Sequence, residues 1–134
     1  MLTIQLDSEI PIADQIVRGV RSAIALGEVG PGDELPPVRQ LARDLGINLN
    51  TVARAYRNLE ARGLVHTARG RGTRVLAALE PSRESAAQTA KRIRAVLRCA
   101  LADAKLAGLS RTSIARLLDE ELARFWPRSR VRRR

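Results

Sequence analysis

One stretch decides the fold of this chain: residues 48–62, which read NLNTVARAYRNLEAR. Apolar side chains recur in it at the spacing of a helix face, and this stripe consists of Val52, Ala55, Tyr56 and Leu59. Asn48 is a residue type that caps helix N-termini, and Gly63 is a residue type that ends helices. The stretch therefore predicts a helix from Asn48 through Ala61 that is apolar on one side and polar on the other.

Shorter elements are predicted on both sides of this helix. Residues 11–25 repeat Ile and Val at helical spacing, and a short helix over 37–45 is expected to end at Gly46. Two β-prone runs, 64–67 and 73–76, flank a basic, glycine-rich tip and predict a hairpin. The order helix, short helix, glycine turn, helix and hairpin is the layout of a winged helix-turn-helix domain, in which the hairpin is the wing.

The polar side of the 48–62 helix suits the major groove of DNA. Asparagine can pair with the edge of adenine, threonine can contact a phosphate or a thymine methyl, and arginine can reach guanine or the backbone. The residues of this helix that we predict to contact DNA are Asn48, Asn50, Thr51, Arg54 and Arg57. They are therefore the candidate reading residues of the chain.

A second region follows a boundary at residues 80–82. Ser82 is predicted to cap a long helix that ends before Gly108, and Ser110 to cap another that ends at Pro127. Each helix carries an apolar stripe, and two such helices joined by a short turn cannot bury both stripes by themselves. We therefore predict that they pair with a second copy through Ile93, Val96, Leu97, Leu101, Ile114, Leu117, Leu118, Leu122 and Phe125.

The predicted fold class is mainly α with a small β-hairpin wing. Residues 1–79 are expected to form the winged helix-turn-helix DNA-binding domain, and residues 80–126 a two-helix dimerisation segment. Residues 127–134 hold five arginines and are expected to be a tail that is disordered alone.

The charge of the chain favours a polyanionic partner. Lys and Arg number 24 against 14 Asp and Glu, which gives a net charge of +10. Residues 1–79 hold 10 basic and 8 acidic residues and the remainder 14 and 6, so most of the excess lies in the second region. Nucleic acid is the commonest polyanion of a cytoplasm, and such a charge attracts it without specifying a sequence.

Several other classes of protein are disfavoured by composition. One cysteine, Cys99, and one histidine, His66, cannot form an internal disulfide or a structural zinc site, so neither a metal nor a cofactor is predicted. Cys99 is expected to be a small buried apolar residue. No apolar run of about 18 residues exists and the N-terminus does not resemble a signal peptide, so we expect a soluble cytoplasmic protein without a membrane partner.

The chain resembles the GntR family of bacterial regulators. The matching motifs are PIxxQI from Pro11, GPGDxLPxxRxLA from Gly30, LG from Leu45, NTVxxAYxxLExxGL from Asn50 and GxGT from Gly70. They cover residues 10–76, and the short helical C-terminal part is similar to that of the YtrA subfamily. The resemblance implies a sequence-specific DNA-binding regulator, a homodimeric repressor of a nearby, transporter-related operon that binds a pseudo-palindromic operator.

The resemblance also implies roles for single residues. Arg39 matches a position that contacts a DNA phosphate, and Asn50 and Thr51 match contact positions of the recognition helix. Gly70 and Gly72 match the wing tip, which the family lays along the minor groove. Narrow grooves attract arginine, and Arg69 and Arg71 are available beside the two glycines.

Three departures from the family leave alternatives open. Leu49 and Ala53 stand where many members carry arginine, and Pro37 replaces a capping serine. One alternative is a non-specific cationic or architectural nucleic-acid-binding protein, although 2% aromatic residues offer few stacking platforms for single strands. Another is a dimeric module without DNA binding.

A catalytic function is disfavoured. Some members of the family continue into an aminotransferase-like domain, for which 134 residues leave no room, and no nucleophile–base set is present. No enzyme is therefore predicted. A small-molecule effector at the dimer interface stays an open alternative without named residues.

Overall fold

The structure, a computed structural model, describes residues 2–76 and 83–128. The chain divides into two compact units, residues 1–80 and residues 81–134. In the described ranges the elements follow the order of three helices, a two-stranded hairpin and two further helices. The predicted boundary at 80–82 and the end of the predicted arginine tail, 129–134, lie outside the described residues.

The first unit begins with three helices, α1 (Ile12–Leu26), α2 (Val38–Leu45) and α3 (Leu49–Ala61). Their bounds lie within one residue of the predicted ones, because the signals that start and stop them are local. Asn48 caps α3 as predicted: its side-chain oxygen accepts a hydrogen bond from the backbone N–H of Asn50 at 2.7 Å. The predicted placement of the recognition helix is therefore confirmed.

The hairpin consists of β1 (Val65–Ala68) and β2 (Gly72–Val75), which pair antiparallel with Ala68 opposite Gly72. Each strand is shifted by one residue from the predicted runs, because the turn takes up only residues 69–71. The predicted wing is confirmed with this small shift.

A short extended segment, residues 32–35, adds a second row of backbone hydrogen bonds to the wing, which the sequence did not reveal. The N–H of Leu35 donates to the carbonyl of Thr73 at 2.8 Å, and the N–H of Val75 donates to the carbonyl of Asp33 at 2.9 Å. This segment leads directly into α2. The outer edge of β2 is thus covered and tied to the helix-turn-helix.

Helix α3 lies at the centre of the first unit, where it packs against α1, α2 and β1. The buried core consists of Ile16, Val17, Val20, Leu35, Leu41, Ala42, Val52, Ala55, Tyr56, Leu59, Val65 and Val75. All four residues of the predicted α3 stripe belong to it. The polar side of α3 consequently faces away from the core.

The second unit contains helices α4 (Ala86–Leu106) and α5 (Arg111–Phe125). Ser110 caps α5 as predicted, because its side chain accepts from the N–H of Ser113 at 3.1 Å. The cap of α4 was predicted wrongly: Ser82 lies outside the described residues, and the capping residue is Ser85. Ser85 forms a reciprocal capping box with Gln88, a partner that Ser82 does not have at the same spacing.

The apolar stripes of α4 and α5 are left uncovered. Of the described residues of this unit, only Ala104 is buried, and Leu101 and Ala104 of α4 line one cleft with Ile114 of α5 beside the turn that joins the helices. Seven of the predicted dimerisation residues are exposed, namely Ile93, Val96, Leu97, Leu101, Leu117, Leu118 and Leu122, and the other two, Ile114 and Phe125, are half-buried. The expectation of a buried Cys99 is wrong, because no described residue of the chain covers its side chain.

No helix in the described ranges is both long enough and apolar enough to cross a lipid bilayer.

Candidate nucleic-acid interface

The polar side of α3 is open to solvent near its N-terminus. Asn50, Arg54 and Arg57 are exposed, and Thr51 is half-buried because it lies next to the apolar stripe. Asn48 is also exposed, but its side-chain oxygen is occupied by the helix cap. Its amide nitrogen, a hydrogen-bond donor, makes no hydrogen bond within the described residues.

Tyr56 fixes the recognition helix against the segment that leads into α2. Its ring is buried, and its hydroxyl donates a 2.6 Å hydrogen bond to the carbonyl of Pro36. Burial raises the pKa of the Tyr56 phenol to about 12, because the charged phenolate would lose its hydration. The side chain thus ties α3 to the segment that leads into α2 through its buried ring and one hydrogen bond.

Arg39 lies in the first turn of α2 with an exposed side chain. The N-cap residue of α2 is Pro37, whose side chain offers no acceptor to the first backbone N–H groups of the helix. Arg39 forms no ion pair within the described residues. The start of α2 therefore presents an arginine and uncapped N–H groups, which is the chemistry that suits a phosphate.

The wing tip presents two arginines on a tight turn. Arg69 and Arg71 are exposed and make no ion pair in the described part of the chain. Gly70 and Gly72 adopt left-handed backbone angles, with φ of 74° and 72°, which residues with a side chain rarely adopt. The glycines allow the sharp turn that brings both arginines to the end of the hairpin.

Two carboxylates hold the wing from its two sides, and sequence reasoning assigned neither of them. On the β2 side, the guanidinium of Arg74 donates to the carbonyl of Gly32 at 3.0 Å and lies 3.5 Å from the Glu34 carboxylate. On the β1 side, Glu60 Oε1 accepts from the N–H of Thr67 at 3.1 Å. Glu60 lies in the α3 motif that carries the family resemblance, whereas Glu34 and Arg74 are 40 residues apart and share no local signal.

Known proteins are similar in sequence to the part of the chain that contains these residues. Residues 12–75 match the family described as bacterial regulatory proteins, gntR family. The chain is also 39% identical over 90 residues to the HTH-type transcriptional regulator Rv1152 of Mycobacterium tuberculosis, a match that covers 67% of this chain and 74% of that protein.

The chain belongs to the GntR family. It is 44% identical over 73 residues to the HTH-type transcriptional repressor YtrA of Bacillus subtilis, which covers 54% of this chain and 56% of that protein. The chain thus matches only about half the length of this GntR relative. Family membership confirms the predicted resemblance to the GntR bacterial regulatory proteins.

A solved GntR structure has the same architecture. YtrA from Sulfolobus acidocaldarius, a GntR-family transcription factor, superposes with a TM-score of 0.58 at 34% identity and covers 75% of this chain and 97% of its own. Together with the five helices and the hairpin, this similarity confirms the predicted mainly α winged-helix fold.

Proposed function

We propose that this chain is a sequence-specific transcriptional regulator that binds a pseudo-palindromic operator as a homodimer and acts as a repressor. The observation that carries the proposal is the division of α3 (Leu49–Ala61) into a fully buried stripe and an exposed polar side, in a domain of the GntR family. A helix packed in this way can enter the major groove without disturbing its own core. The repressor function of its relative YtrA supports the sign of regulation.

The proposed roles of the DNA-binding residues follow from their exposure and chemistry. Asn50 and Thr51 read base edges at the N-terminal end of α3, with Asn48, Arg54 and Arg57 contacting bases or backbone beside them. Arg39 binds a phosphate, and Arg69 and Arg71 enter the minor groove beside Gly70 and Gly72. Residues 1–79 form the DNA-binding domain in this proposal.

The second half of the proposal is that residues 80–126 pair two copies. Most residues of the stripes on α4 and α5 are exposed in the single chain, so a second copy is the surface that suits them. Two recognition helices related by a two-fold axis would then enter successive major grooves roughly 34 Å apart. The regulator is further proposed to be non-enzymatic and cytoplasmic, and to control a nearby, transporter-related operon. The binding of a small-molecule effector at the dimer interface stays a prediction.

The proposal is tested by binding to the promoter of the chain's own gene against a scrambled duplex of the same length. We expect a specificity ratio of about 10³ or more at moderate salt. A ratio below about tenfold would support the non-specific cationic alternative, and no binding at all would support the module without DNA binding.

A matched pair of substitutions on α3 locates the reading surface. Asn50→Ala should weaken operator binding about tenfold or more for each half-site, because one base contact is lost. Asn58→Ala is the control, since this asparagine accepts from Arg62 at the other end of the helix. Equal affinity of the two variants would contradict the assignment of the α3 N-terminus as the reading end.

A further inference from the structure

Glu60 is the residue at which the recognition helix and the wing meet through polar contacts. It lies in the last turn of α3, and its Oε1 accepts from the backbone N–H of Thr67 at 3.1 Å. The same oxygen lies 3.4 Å from Nδ1 of His66. Both partners belong to β1, so one carboxylate reaches two consecutive residues of the wing.

The hydrogen bond to Thr67 occupies a position that the hairpin itself leaves open. In the antiparallel register Thr67 lies opposite Thr73, whose carbonyl points outward to the N–H of Leu35. The N–H of Thr67 therefore also points outward, on the opposite edge of the hairpin. Glu60 satisfies an edge donor that would otherwise be left to water, and it does so from α3.

The other edge of the wing is already held by backbone and by the Glu34–Arg74 contact. Without Glu60, the wing would keep its tie to the segment before α2 but lose its polar tie to α3. The tip arginines, Arg69 and Arg71, lie at the far end of the hairpin, where a small rotation at its base produces the largest displacement.

We propose that Glu60 is a positioning residue that sets the wing tip relative to the recognition helix and thereby raises operator affinity without touching DNA. The inference rests on the proposed function, because it requires that α3 and the wing bind the same duplex. A preorganised wing needs no ordering when DNA binds, because its conformational entropy has already been lost during folding.

The sign of the expected effect separates this role from simple electrostatics. A carboxylate near a DNA-binding surface repels phosphates, so its removal alone should strengthen binding. Glu60→Ala is expected instead to weaken operator binding about tenfold, the scale of one charge-assisted hydrogen bond. Glu60→Gln keeps an oxygen that can accept from Thr67, and it should restore most of that affinity.

The experiment measures operator affinity for the full chain, its Glu60→Ala and Glu60→Gln variants, and Glu9→Ala. Glu9 is an exposed residue of the same unit, so its variant changes the net charge equally. Glu9→Ala should bind at least as tightly as the unsubstituted chain. If Glu60→Ala also binds as tightly as the unsubstituted chain, the inference is overturned.

A second background separates positioning from loss of stability. In a chain that already carries Arg69→Ala and Arg71→Ala, Glu60→Ala should cost almost no further affinity, because no tip contact remains to be positioned. An equal further loss would mean that Glu60 only stabilises the domain, and would overturn the inference. Failure of the unsubstituted chain to prefer its operator over scrambled DNA overturns the proposed function as well, whereas the other outcomes concern Glu60 alone.

Discussion

Replacement of Tyr56 by phenylalanine removes one oxygen atom from the contact between α3 and the segment before α2. The phenylalanine ring can fill the same buried space, so the apolar packing is retained. What is lost is the 2.6 Å hydrogen bond to the carbonyl of Pro36. The carbonyl belongs to an exposed residue and can turn to water, so the loss is expected near the middle of the usual range, about 1 kcal/mol of the free energy of unfolding.

For a unit of this size, a loss of that magnitude should lower Tm by roughly 4–8 °C. Urea denaturation of the full chain, followed by helical circular dichroism, measures the free energy directly. Operator affinity at low temperature should stay unchanged, because the polar side of α3 is untouched. A phenylalanine variant as stable as the unsubstituted chain would refute the argument that this hydroxyl stabilises the contact between α3 and the segment before α2.

Alkaline titration tests the same contact without a substitution. Tyr56 is the only tyrosine, so the phenolate absorbance reports it alone. Its folded pKa is raised from 10.0 to about 12, so the folded state favours the neutral phenol. The stabilisation is therefore fully present below pH 10 and is lost as the pH rises through about 12. A phenolate midpoint near 10 in a chain that keeps its helical signal would contradict the burial of this ring.

Two further predictions use paired substitutions. Gly72→Ala should lower the free energy of unfolding by about 1–2 kcal/mol through its left-handed φ. A small further loss is expected because the added methyl, 2.6 Å from Glu34 Oε1, would push the flexible end of Glu34 away from Arg74. Gly70→Ala has the same φ strain but open space around the added methyl, so urea denaturation should show a smaller loss of unfolding free energy for this variant. Equal losses for the two variants would contradict the contribution assigned to the contact with Glu34. Leu118→Asp should yield monomers in sedimentation velocity, because the proposed interface cannot bury a charge. Leu106→Asp, at an 88% exposed leucine outside the predicted dimerisation residues, should leave the dimer intact, and a dimeric Leu118→Asp chain would rule out the proposed stripe.

The elements of this protein were readable from the sequence because their signals are short in range. Asn48 caps α3 by accepting from a backbone N–H two residues away, and Gly46 directly follows the last residue of α2. The stripe of α3 repeats within two turns, which is why all four of its residues were placed correctly in the core. The predicted cap Ser82 is wrong because Ser85, and not Ser82, has a reciprocal partner three residues further along, Gln88.

The arrangement of the wing was decided by tertiary structure alone. Residues 32–35 pair with β2 through backbone atoms, and such pairing leaves no side-chain pattern to read. Glu34 and Arg74 meet across 40 residues, and Tyr56 reaches Pro36 across 20. Glu60 was visible in the motif, but its partner is a backbone N–H of the following strand. Local chemistry thus specifies where helices begin and which face they bury, whereas contacts between distant segments exist only once the chain has closed the loops that bring them together.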